Sequence, residues 1–205
     1  MIRIFIGGLA KLFSVLFHPI FIPLIGIAFI FHSNTYLNYT IHPELKNAIY
    51  LLIILNTILM PVVISSFLLW KGMITSIKME NQKERTLPYI GTIIFYLLTL
   101  YLLKDVYVPA LVFLFMIGAA ASVLTALIIN FFWKLSAHMI GMGGLCGTLI
   151  CISHKLQTDM LLFILLTIIV SGFVGASRIL LKAHNPKQVY AGFLIGLFWQ
   201  LLIVL

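Results

Sequence analysis

The chain has 205 residues, 62% of them hydrophobic and 9% charged, with a formal net charge of +8 and a mean hydropathy of +1.17. Globular proteins average about 45–50% apolar and 25% charged residues, so this composition excludes a water-soluble domain and indicates an integral membrane protein. Its cations are spread over short connectors instead of forming a Lys/Arg-rich face, which argues against a nucleic-acid partner.

Arg3 and Lys11 precede the first long apolar run, and no small-residue cleavage site follows it. That run reads as a retained first span and not as a removed signal, with residues 1–11 forming an interfacial amphipathic turn. About twenty apolar residues cross a bilayer core. By that ruler spans fall near 12–31, 48–70, 88–103, 107–133, 139–153, 160–181 and 188–205, the third and fifth of them short. Lipid offers backbone polar groups no other partner, so each span is expected to be helical. The expectation is all-α: a polytopic transmembrane helical bundle of six to seven spans, one domain over residues 1–205. Cys146 and Cys151 read as buried thiols, and Gly141, Gly143, Gly144, Gly147, Gly192 and Gly196 as faces for close helix packing. No span shows the acidic pair or broken central helix expected of a transporter.

Charges at a membrane are expensive and mark function. Three connectors carry them: residues 71–88, KGMITSIKMENQKERTLP; residues 134–138, KLSAH; and the stretch after the sixth span, KAHNPKQ. Two spans separate each from the next, so all three emerge on one face. They collect Lys78, Arg85, Ser136, His138, Arg178, His184 and Gln188. Three fixed cations can hold the oxygens of a phosphoryl group, arginine through a bidentate fork. Of two histidines, one can attack phosphorus while the other protonates the departing oxygen. Both precede or open a predicted helix, where free N–H groups favour an anion. Other residues have plainer readings. Lys71, Lys83, Lys134, Lys182 and Lys187 suit headgroup anchors, Ser136 suits a helix N-cap, and His18 beside Pro19 suits a structural role.

At these residues the sequence resembles the type 2 phosphatidic acid phosphatase family, membrane enzymes that hydrolyse lipid phosphates and pyrophosphates. The family's Lys-x6-Arg-Pro appears as Lys78, six residues and Arg85, with Thr86 in place of the proline. Its Pro-Ser-Gly-His appears as Leu135-Ser136-Ala137-His138. Its Ser-Arg-x5-His-x3-Asp appears as Ser177-Arg178, five residues, His184, three residues and Gln188. The resemblance covers about residues 78–196. It implies a metal-independent hydrolase without cofactors, acting on a phosphomonoester or diphosphate of an amphiphilic lipid. His184 would form a phosphohistidine, His138 would protonate the leaving group, and Lys78, Arg85, Ser136 and Arg178 would bind phosphate. Gln188 stands where the family's aspartate orients and charge-compensates the nucleophile; Glu80 or Glu84 could fold over to replace that charge. The neutral Gln188 also motivates an alternative, a catalytically impaired relative that binds a phosphorylated lipid or acts as a membrane scaffold.

Lys and Arg number ten on the motif face (Arg3, Lys11, Lys71, Lys78, Lys83, Arg85, Lys134, Arg178, Lys182, Lys187) against three opposite (Lys46, Lys104, Lys155). By the positive-inside rule the site faces the cytoplasm, as in a protein of a bacterial inner membrane.

Overall fold

The computed structural model describes residues 2–205, with side chains from Gly7 onward; the side chain of Arg3 lies outside the described part. Ten α-helices follow in chain order: α1 (Ile2–Leu16), α2 (Ile22–His32), α3 (Tyr36–Thr40), α4 (Pro43–Ile53), α5 (Met60–Trp70), α6 (Thr86–Leu103), α7 (Ala110–Asn130), α8 (Ala137–Leu156), α9 (Leu161–Leu180) and α10 (Pro186–Val204). Seven stretches are long and apolar enough to cross a membrane: Gly7–His32, Pro43–Trp70, Gln82–Leu103, Ala110–Asn130, Ala137–Leu156, Leu161–Leu180 and Pro186–Val204. The polytopic all-α bundle read from hydropathy is therefore the fold, and Cys146 and Cys151 are free, buried thiols within it.

Three details differ from the reading of the sequence. Residues 2–11 are not a separate turn but part of α1, which continues to Leu16. The third and fifth spans are not short: the turn at Gln82–Arg85 prolongs the third, and helix α8 carries the fifth from Ala137 to Leu156. Nor are all the helices unbroken. The first stretch is interrupted at His18, where a short 3-10 turn over Pro19–Phe21 begins, and the second winds as a π-helix over Ile54–Leu59 before Pro61. Proline lacks an N–H and clashes with the preceding turn, and a π turn is one way a helix absorbs that.

The tightest contact is between α8 and α10. A Cβ at Gly196 would collide with the carbonyl oxygen of Ile140, one at Gly143 with that of Phe193, and one at Gly192 would sit 2.8 Å from that of Ser136. Backbone against backbone leaves nothing that can yield, so the small-residue face read from the sequence is obligatory here. In lipid, where no hydrophobic force drives helices together, such close packing supplies the adhesion. The pair fixes the starts of both helices relative to each other, and Ser136 N–H donates to Gln188 O across the gap (3.4 Å).

Candidate active site

The end of α9 builds the first part of the site. The chain leaves the helix through Lys182, in left-handed backbone at φ 53°, and the N–H groups of Ala183 and His184 both donate to Arg178 O at 3.0 and 3.3 Å. The five-residue spacing of Arg178 and His184 is thus the spacing of one helix-terminating turn, which returns the histidine to the level of the arginine. Asn185 then caps α10. Its side chain accepts from Gln188 N (3.0 Å) while Gln188 Oε1 accepts from Asn185 N (3.2 Å), a reciprocal capping box. The same Oε1 lies 3.1 Å from His184 Nδ1. An oxygen that takes the Asn185 N–H can only accept, so Nδ1 carries the proton and Nε2 keeps its lone pair. Burial, reinforced by the charge of Arg85, lowers the His184 pKa to about 3, and the Gln188 hydrogen bond only partly opposes this. The imidazole is neutral near pH 7.

The second part comes from α8. Ser136 holds the N-cap position without capping through its side chain; its hydroxyl is fully buried and has no partner. That corrects the plain reading of Ser136 as a side-chain cap. His138, in the first turn, lies 3.0 Å through Nε2 from Ser14 O. A carbonyl only accepts, so Nε2 donates and Nδ1 is the free nitrogen. The Ser14 hydroxyl accepts from Arg178 at 3.4 Å, so one residue of α1 ties His138 to Arg178. Packing of α1 on α9, with Phe13 stacked on Phe173 at 5.4 Å, sets this up.

The third part is the 71–85 connector. It is clamped to the end of α7 by reciprocal bonds between Gln82 and Asn130. Arg85 is buried and donates to Met79 O (3.0 Å) and Leu135 O (3.1 Å), which draws the connector against the start of α8. Neither nearby glutamate replaces the missing carboxylate: Glu84 accepts from Thr75 at 2.8 Å, and no bond joins Glu80 to His184.

One cavity of about 1230 Å³ receives all three parts. Lys78, Arg85, His138, Arg178 and His184 line it; Ser136 and Gln188 do not. Lining it too are residues given other roles above. His18 faces His138 at 5.1 Å between ring centroids, and Lys134 and Lys182 join Lys11 at the rim. Burial and the charges of Arg85 and Arg178 hold the Lys134 ammonium below its ordinary pKa. Lys134 and Lys182 are thus cavity residues and not merely headgroup anchors. Their sequence signal was position: each adjoins a motif residue on the same connector. His18 and Ser14 carried no such signal.

Among the described residues the one ion pair is Lys104–Asp105, at 3.8 Å, on the opposite face. The cations around the cavity have no carboxylate within salt-bridge distance. Glu80 also lines the cavity and offsets only part of this charge, at Lys134; like charges gathered and partly buried without a paired carboxylate are costly, and an anion in the cavity would relieve that cost.

Fold and cavity together define a membrane-spanning helical protein with a cationic, histidine-bearing chamber at one end. Residues 116–205 match the family model of the PAP2 superfamily. The matched segment contains Ser136, His138, Arg178, His184 and Gln188 and leaves out Lys78 and Arg85. No curated protein and no solved structure matches the chain.

Proposed function

We propose that the protein is a lipid-phosphate phosphatase that uses His184 as nucleophile. The observation that carries this reading is the convergence of Arg85, Arg178 and Lys78 with two histidines of opposite free nitrogens on one cavity. The phosphoryl group lies among the cations, which stabilise the charge on its equatorial oxygens. His184 Nε2 attacks phosphorus, and the bond from phosphorus to the lipid oxygen breaks. His138 Nδ1, protonated in the field of the bound phosphate, gives its proton to that oxygen. Water then attacks the phosphohistidine; its proton returns to His138, its hydroxide goes to phosphorus, and the P–N bond breaks. Gln188 holds the tautomer that keeps Nε2 free but cannot neutralise the imidazolium. The lipid chain extends along the cavity, whose inner part reaches Tyr96, Phe115 and Gln200. Bias of the cations toward the motif face supports a cytoplasmic opening.

Gln188 favours one other reading, a relative that binds a lipid phosphate without turning it over, because its Oε1 already serves the helix cap. Phosphate release from a panel of lipid mono- and diphosphates, with EDTA present, separates the two. Release by the wild type that His184→Ala abolishes is the expected result. Undiminished release by His184→Ala would overturn the proposal, and no release with retained binding would favour the second reading.

A further inference from the structure

The deep wall of the cavity is not uniformly apolar, and its polar groups fall into two kinds. Some bond within their own helix, as hydroxyls in membrane helices do: Ser122 donates to Gly118 O and Thr92 to Pro88 O, both at 2.8 Å. Gln200 and Thr57 do not. Each is 1% exposed, each lines the cavity, and Gln200 Oε1 and Thr57 Oγ1 have no partner. The Gln200 amide is oriented by its other end, since Nε2 donates to Phe115 O at 3.1 Å, so the orphaned atom is an acceptor. Two neighbouring helices make room for this side chain. A Cβ at Gly118 would come within 2.9 Å of the Gln200 amide, and one at Gly147 within 2.8 Å of Gln200 Cβ. Thr57 lies in the π-helical turn Ile54–Leu59. A buried acceptor without a donor is expensive in a membrane interior, and glycines cleared around it mark a built feature, not a surface accident.

We infer that the inner end of the cavity is a second recognition site, one that takes a hydrogen-bond donor carried in the tail of the lipid phosphate, such as the hydroxyl of a hydroxylated acyl chain. This rests on the reading of the outer end as a phosphate site. The depth follows from α8: Gly144 and Gly147, where an added Cβ would meet Gln200 at 4.0 and 2.8 Å, stand six and nine residues beyond His138, about 9–14 Å along the axis at 1.5 Å per residue. A plain hydrocarbon tail would leave both polar groups unmatched.

The test uses the full-length protein in detergent and synthetic lipid monophosphates of one chain length, either unsubstituted or with a single hydroxyl moved along the chain. Affinity is read from ligand-induced thermal stabilisation, and turnover from phosphate release. The wild type is expected to bind the isomer hydroxylated about 10 Å from phosphorus on the order of tenfold more tightly than the unsubstituted lipid, the change that one net hydrogen bond supplies. Gln200→Met and Thr57→Val should each narrow that ratio toward one; Thr57→Val serves if Gln200→Met fails to fold. Equal affinity for every isomer and the unsubstituted lipid overturns the inference. A preference in binding without phosphate release from any of them would leave the inner site standing and remove the hydrolase reading.

Discussion

Two halves of the bundle are built on different terms. In an 18-residue stretch of α8, 61% of the residues are buried among other helices, against 22% in the span formed by α4 and α5. Helices α8 and α10 meet backbone to backbone through glycines, whereas the α4–α5 span bends through a π turn and leaves Val62, Val63 and Phe67 half-exposed. His138, His184 and Gln188 all lie at the starts of the rigid pair, where, in the proposed mechanism, a shift of an ångström would spoil in-line attack. Pro61, Ser65 and Ser66 of α5 form the opposing cavity wall. The contrast teaches a division of labour: under the proposed function the close-packed half fixes the reacting groups, and the looser half encloses the lipid.

The largest way to break the comparison is chemical. His184→Ala should lower phosphate release by on the order of 10³-fold or more, the scale of removing a nucleophile from a coupled unit, with the thermal midpoint in detergent little changed. Next comes packing. Gly196→Ala should cost about 1–3 kcal/mol or more, as overpacking does, since its Cβ falls on Ile140 O. Gly172→Ala, where a Cβ meets nothing within 4 Å, should instead gain up to about 1 kcal/mol from helix propensity. Paired thermal unfolding of the two variants checks the sign difference, and equal effects would contradict the account of α8 and α10.

Acid provides a third test. The folded pKa of His184 is about 3 against an ordinary value of 6.5, so below pH 6.5 the unfolded chain takes up a proton that the folded chain refuses. Stability linked to this residue is complete above pH 6.5 and falls as the pH drops toward 3. His184→Asn should flatten the acid limb of the thermal midpoint against pH. The smallest effect is expected at the exposed Lys104–Asp105 pair, where Lys104→Ala should change stability by less than about 1 kcal/mol.

Hydropathy made the spans legible, since lipid permits few alternatives to a helix, and the glycine faces of α8 and α10 were legible for the same reason. The site was readable where its residues sit on connectors with fixed spacing, as with Arg178 and His184, whose separation is that of a helix-ending turn. The Asn185-x-x-Gln188 box was also legible in principle, for its pattern is local. Ser14 and His18 were not. Their place beside Arg178 and His138 depends on the break at His18 and on α1 packing against α9, tertiary facts with no sequence period. The π turn at Ile54–Leu59 was hidden as well, because hydropathy does not distinguish it from α-helix.

The most direct test of the central claim is to mix the protein briefly with a lipid diphosphate, quench in alkali, where phosphohistidine survives, and map phosphorylated peptides by mass spectrometry. The account predicts one phosphoryl group on His184, absent in His184→Ala and accumulating when His138 is replaced by alanine with a substrate whose leaving group needs no proton. Turnover without a phosphorylated His184, or phosphate found on His138 or His18 instead, would contradict it.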